Sequence, residues 1–149
     1  SHNRLVELYH YDPLTGIFCK RANGRRNGSA GKWYGTIHID GRNYYSHRLA
    51  WFYVHKCWPI GQIDHADLDR TNNAISNLRD STRSQNISNQ RSRAKSGFKG
   101  VVKRHGSFRA QITVNGACRV LGKFETAEAA HFAYLTAAKA AFGNFARAA

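Results

Sequence analysis

The segment QIDHADLDRTNNAISNLR, residues 62–79, sets Asp64 beside His65 and follows them with Asp67, Asp69, Asn72, Asn73 and Asn77. Three of the chain's nine acidic residues thus lie between Asp64 and Asp69, in a protein of formal net charge +14. Histidine can take a proton from water near neutral pH. A carboxylate is a hard oxygen donor for a cation such as Mg²⁺, which uses few protein ligands and leaves positions for substrate phosphate. Together they suit phosphodiester hydrolysis, with a base for the water and a cation for charge on the phosphoryl and leaving oxygens. Adjacent side chains on a strand point to opposite faces, so an Asp-His pair serves one site best where the strand ends and the backbone turns. Taken alone, the dipeptide also reads as a structural pair in a polar loop of turn formers.

Composition narrows the partner. Twenty-three Lys and Arg and a pI near 10.3 point to an anionic one. No apolar run approaches the roughly 20 residues of a membrane-spanning helix, and no basic amphipathic helix is evident, so nucleic acid is expected rather than membrane. Cys19, Cys57 and Cys118 are widely spaced and odd in number. That argues against a structural zinc site and against a disulfide framework. A reducing, cytoplasmic setting is expected, with no signal peptide and, in the absence of any methionine, a processed end at Ser1-His2.

The positioning elements are short. YDPLTGIF (11–18) is a turn leading into a strand. KRANGRRNGSAGK (20–32) is a basic, glycine-punctuated loop that either contacts phosphate or is simply solvated. WYGTIHI and RNYYSH flank Asp40-Gly41, a strong hairpin signal. SHRLAWFYVHKCW (46–58) predicts a helix with Ser46 as N-cap and Leu49, Phe52 and Tyr53 at helical spacing. Pro59 and Gly61 end it. QIDH then reads as a short strand ending in histidine, NLRDS as a second strand, and RSQNISNQRSRA as a helix capped by Ser81 or Thr82.

From Ser96 onward, FKGVVKR and SFRAQITVNGACRVLGKF read as strands with a hairpin through Asn115-Gly116, and TAEAAHFAYLTAAKAAFG as a helix capped by Thr126. Phe108, Ala110, Ile112 and Val114 alternate with Ser107, Arg109, Gln111 and Thr113. The apolar side needs a cover, which Phe132, Leu135 and Phe142 of the helix are expected to supply. The face of Arg109, Gln111 and Thr113 would then turn outward.

IDHADLDRTNNAISNLR followed by STRSQNISNQ resembles the HNH nuclease family in its phage and intron-borne homing branch. HRLAWFYVHKCWP and YDPLTGIF also resemble what precedes that motif, and the likeness spans about residues 9–91. It implies a ββα-metal unit in which Asp64 and Asn86 hold one divalent ion, Mg or Mn, and His65 is the general base. Asn77 would hold the loop and orient that base. Arg79 and Arg83 are candidates for phosphate contact. His47 reads as structural or phosphate-contacting, and Asp67, Asp69, Asn72 and Asn73 as turn formers and loop staples.

GFKGVVKRHGSFRAQITVNGACRVLGKFETAEAAHFAYLTAAKAAFGNFA resembles an AP2/ERF DNA-binding domain over nearly all of residues 97–146, above all in KGV, AQI and LGKFETAEAA. It implies a three-stranded antiparallel sheet packed on a helix and reading the major groove. By position, that family's contacts fall at Lys99, Val102, Arg104, His105, Gln111 and Thr113. Val102 and Thr113 depart from its pattern, so its usual target sequence does not carry over. Lys99, Lys103, Arg104, Arg109 and Gln111 are the expected contacts here. Between the two units, residues 79–109 carry nine basic residues against Asp80 alone, a ribbon suited to a phosphate backbone or to a soluble linker.

The expectation is therefore an α+β protein with an HNH module at 1–95, its ββα-metal core at about 59–92, and an AP2-like module at 96–149. It would cut double-stranded DNA in a metal-dependent way, nicking as a monomer with no protein partner. The alternatives are a DNA-binding regulator on a degenerate nuclease scaffold, and a protein directed at RNA.

Overall fold

The computed structural model describes residues 1–27, 35–92, 94 and 96–147. Residues 28–32 of the expected basic loop, and Trp33 and Tyr34 of the expected first hairpin strand, lie outside the described residues. By internal contacts the chain divides into two units, Ser1–Asp80 and Ser81–Ala149. That division falls ahead of the expected 95/96 boundary and counts the helix after Ser81 with the second unit. Both units are mixed α and β with small antiparallel sheets. Among the described residues, no helix is long and apolar enough to cross a membrane.

The first unit opens with a helix the sequence reading missed, α1 (His2–Leu8), capped by the Ser1 side chain on the Arg4 amide. Strands β1 (Tyr9–Asp12), β2 (Ile17–Lys20) and β3 (Arg26–Asn27) follow as an antiparallel sheet. The β1–β2 turn is made rigid by Asp12, whose carboxylate accepts from the Leu14 amide at 3.0 Å and the Thr15 hydroxyl at 2.7 Å. Strands β4 (Thr36–Ile39) and β5 (Arg42–Tyr45) form the expected hairpin, with Asp40 and Gly41 both at positive φ, as its tight turn requires. Helix α2 (Ser46–His55) is shorter than expected and stops at Lys56 in the left-handed region. Ser46 is its first residue rather than its cap, because its hydroxyl donates to the Gly35 carbonyl at 2.9 Å. Strands β6 (Gln62–His65) and β7 (Leu78–Ser81) then pair as a two-stranded sheet. The core is built on Leu5, Tyr11, Phe18, Ile37, Leu49 and Ile63.

In the second unit, α3 (Arg83–Asn89) carries a full capping box, in which Thr82 and Gln85 bond each other's backbone amides. Strands β8 (Val101–Arg104), β9 (Ser107–Val114) and β10 (Ala117–Phe124) form an antiparallel sheet in the order β10-β9-β8, beside α4 (Ala127–Phe142). The stripe packed on the sheet is Ala130, Tyr134, Ala138 and Phe142, at spacings of four along the helix. Of the expected cover, Phe142 is buried and Leu135 partly so, but Phe132 is 73 % exposed. It lies two residues from Ala130 and Tyr134, about 200° around the helix from each. The small alanines let the helix approach the sheet closely. Gly100 shows how closely, since a Cβ there would stand 2.1 Å from the Tyr134 ring.

Candidate active site

Strand β6 ends at His65, and the chain turns at once: the Ala66 amide bonds the Asn77 carbonyl at 2.9 Å, and the Leu68 amide bonds the His65 carbonyl at 3.0 Å. The strand end expected for an Asp-His pair is therefore present. Both side chains are buried, Asp64 3 % and His65 4 % exposed. Each has its own neighbours. The Arg79 guanidinium reaches across from β7 to Asp64 Oδ2, with Nε at 3.1 Å and Nη2 at 2.5 Å. His65 Nε2 lies 3.2 Å from Asn73 Oδ1. An amide oxygen can only accept, so this bond forms with a proton on Nε2.

The loop between β6 and β7 is a mesh of asparagine and aspartate. Asn77 donates through Nδ2 to Asp67 Oδ1 at 2.9 Å and to the Asn72 carbonyl at 2.8 Å, and its Oδ1 accepts from the Asp67 amide at 3.1 Å. Asp67 also accepts from Asn72 Nδ2 at 2.7 Å and from the Asp69 amide at 2.8 Å. Although burial works against it, these hydrogen bonds from Asn72, the Asp69 amide and Asn77 hold Asp67 below the usual carboxylate range. Asp69 is held low by the Thr71 hydroxyl and amide. The Asn77 side chain thus bonds within the loop, while His65 Nε2 is bonded to Asn73, which reads from sequence as a turn former and loop staple. Nothing in the spacing of Asn72, Asn73 and Asn77 distinguishes the three. Burial does not separate Asn73 from Asn77 either, at 2 % and 8 % exposed.

His47 on α2 completes the setting of His65. The two rings meet edge to face at 5.5 Å, and Tyr45 stacks on the other imidazole. Burial, with His65 and Arg48 nearby, pushes His47 down to about 4, so it stays neutral at physiological pH. A neutral His47 places no positive charge beside the His65 ring.

Asp64 fits a divalent cation by donor chemistry, being a buried carboxylate with hard oxygen donors, adjacent in sequence to His65. Among the described residues, no group of three or more His, Cys, Asp or Glu could hold a metal, so a cation there would depend on amide oxygen, water or substrate for its other ligands. Asn86 and Arg83 lie on α3, in the second unit, the first half-buried and the second exposed.

Residues 44–87 match the family model described as HNH endonuclease. The HNH match runs from β5 to α3 and contains His47, Asp64, His65, Asn73, Asn77, Arg79 and Asn86. It supports a nuclease acting on DNA. No curated protein matches the chain.

In the second unit the register fixes which side chains share the sheet face away from α4. Arg109 stands between Val102 and Lys123, Gln111 beside Val120, and Thr113 beside Cys118. Arg109 Nη2 donates to Gln111 Oε1 at 2.9 Å, while its buried Nε has no partner among the described residues. Arg104 is exposed opposite Ser107. Lys103 is exposed but falls in register with Phe108, on the α4 side, its ammonium 5.8 Å above that ring. Lys99, expected to face DNA, instead turns its ammonium to the carbonyls of Ser88 and Gln90, the latter at 2.7 Å. Burial, with Arg147 nearby, lowers it to about 8.

Proposed function

We propose that this protein is a site-selective HNH DNA endonuclease of homing type, dependent on one divalent ion and nicking double-stranded DNA as a monomer. The observation that carries the reading is the buried His65 at the end of β6, bonded through Nε2 to Asn73 beside Asp64, inside the matched segment. His65 Nδ1 accepts a proton from water as that water attacks phosphorus. The P–O3′ bond breaks and the 3′ oxygen departs. The Asn73 bond holds the ring in the tautomer this step needs, neutral His47 adds no positive charge beside it, and Asn77 keeps the loop in one shape. Asp64 and Asn86 would hold the Mg or Mn ion, which when bound neutralises charge on the phosphoryl group and the leaving oxygen. Arg79 and Arg83 are placed in this reading as phosphate contacts.

In the same reading, residues 1–95 make the nuclease module, and 96–149 an AP2-like module that selects the site. Arg104, Arg109 and Gln111 are its DNA contacts, with Lys103 at the sheet edge. The outward face of β8–β10 supports this, because it offers cations and an amide beside apolar Val102 and Val120, the mixture that base edges require.

The test is incubation with supercoiled plasmid carrying a target site, in Mg²⁺ or Mn²⁺, beside His65→Ala and an EDTA control. Metal-dependent open circles that precede linear DNA, and that His65→Ala does not produce, are expected. Specific binding with no cutting would instead make the protein a DNA-binding regulator.

A further inference from the structure

The loop that presents Asn73 to His65 carries one short 3-10 turn, Ile75–Asn77, after Asn73 itself, and Asn77 fastens one side of it. The N-terminal hairpin fastens the other. Tyr11 on β1 donates its hydroxyl to the Asn73 carbonyl at 2.7 Å, in a fully buried bond. The Ile75 amide bonds the Pro13 carbonyl at 3.0 Å. Gly16, at φ +73°, lies flat against the same peptide, so that a Cβ there would stand 2.3 Å from the Asn73 carbonyl carbon and 2.4 Å from the Ala74 nitrogen. Both contacts come from rigid parts. The Tyr11 ring packs on Phe18 at 4.7 Å and Tyr53 at 5.5 Å, and Asp12 locks the turn that ends in Gly16.

We propose that Tyr11 and Gly16 are positioning residues for the base, acting through the Asn73 peptide to fix the tautomer and orientation of His65. The proposal rests on the nuclease reading for its kinetic consequence, but its structural claim does not. An amide oxygen directs a ring only if its own backbone is held, and at Asn73 that backbone is gripped from the hairpin side by one hydroxyl and one missing side chain. Burial raises the Tyr11 phenol well above its ordinary range, so it remains a donor throughout the pH range of an assay. The YDPLTG stretch is thereby more than a distant scaffold. It is the outer wall of the base's hydrogen-bond chain.

The experiment pairs long-range ¹H–¹⁵N NMR of the His65 ring with single-turnover cleavage. The variants are Tyr11→Phe, Gly16→Ala, Asn73→Ala and Asn73→Asp, with folding checked by circular dichroism. The wild-type ring should be protonated at Nε2, and Asn73→Ala should give mixed tautomers. Tyr11→Phe keeps the ring packing and should cut about tenfold more slowly at saturating DNA, with KM unchanged. Gly16→Ala approaches the same peptide from the turn and should share that signature if Tyr11→Phe fails to fold. Asn73→Asp should recover most of the rate lost in Asn73→Ala, because a carboxylate oxygen also accepts from Nε2. Folded Tyr11→Phe and Gly16→Ala proteins with wild-type tautomer and rate would overturn the proposal, as would a wild-type ring protonated at Nδ1. A wild-type protein that does not cut, yet loses its Nε2 tautomer in Asn73→Ala, would uphold the positioning chain and overturn the nuclease reading.

Discussion

Replacing Gly16 with alanine should be far more damaging than the same change at another glycine of equal backbone strain. Two costs add at Gly16. A side chain at φ +73° costs about 1–2 kcal/mol in the left-handed region. The added methyl would also lie 2.3 Å from Asn73 C, 2.4 Å from Ala74 N and 2.8 Å from Asn73 Cα. Carbon atoms settle at roughly 3.5–4.0 Å, so turn and loop must part by about 1 Å, an overpacking that costs about 1–3 kcal/mol. The sum is about 2–5 kcal/mol. Gly41 supplies the control, because its φ is +80° and, among the described residues, nothing lies within 4 Å of a Cβ built there. Gly41→Ala should therefore cost only the backbone part, about 1–2 kcal/mol. Urea denaturation followed by tryptophan fluorescence reads the difference, since Trp51 and Trp58 belong to the first unit and the sequence has no tryptophan after Trp58. Gly16→Ala should exceed Gly41→Ala by about 1–3 kcal/mol, or about 4–8 °C of melting temperature per kcal/mol. Equal costs for the two variants would refute the close packing of the turn on the Asn73 peptide.

Other outcomes follow from the same contacts. Between about pH 6.5 and about 4 the unfolded chain takes up a proton that folded His47 refuses, so stability should fall as pH falls through that window. The loss from this group is on the order of 3 kcal/mol, and thermal melts of His47→Gln should flatten that stretch of the curve. Arg79→Ala leaves the buried Asp64 charge without its guanidinium and should destabilise by about 3 kcal/mol in urea denaturation. Asp64→Asn should cost less, because Arg79 is partly exposed and keeps access to water. On duplex DNA, Arg104→Ala should lower the slope of log affinity against log salt by about 1. Lys99→Met should leave that slope alone and lower stability instead, having lost the Ser88 and Gln90 carbonyls.

What could be read from the sequence was whatever local chemistry decides. The hairpins at Asp40-Gly41 and Asn115-Gly116 follow from residues that accept positive φ, and β6 and β7 from short apolar-polar runs on either side of a turn-rich loop. A third hairpin, at His105-Gly106, has the same positive φ pair, but histidine gives a weaker turn signal than asparagine or aspartate. Helix α1 escaped notice because it is barely two turns long and its burial is confined to Leu5. The side-chain partners within the sites were hidden for another reason. Asn73 and Asn77 are the same residue type four positions apart, and only the tertiary packing of the β1–β2 turn decides which of them faces His65. Lys99 carries the charge of a DNA contact, yet the unbonded carbonyls at the end of α3 claim it. Phe132 is apolar at a helical position, but Tyr134 and the alanines around it occupy the side that meets the sheet.

The central claim is that His65 is the base of a DNA-cutting reaction. The most direct test is the single-turnover rate of strand cleavage by His65→Ala relative to wild type, at equal metal and saturating substrate, with both proteins shown to be folded. A fall of about 10²–10⁴-fold is expected for loss of a general base. A His65→Ala rate within tenfold of wild type would contradict the account and remove His65 from the chemistry.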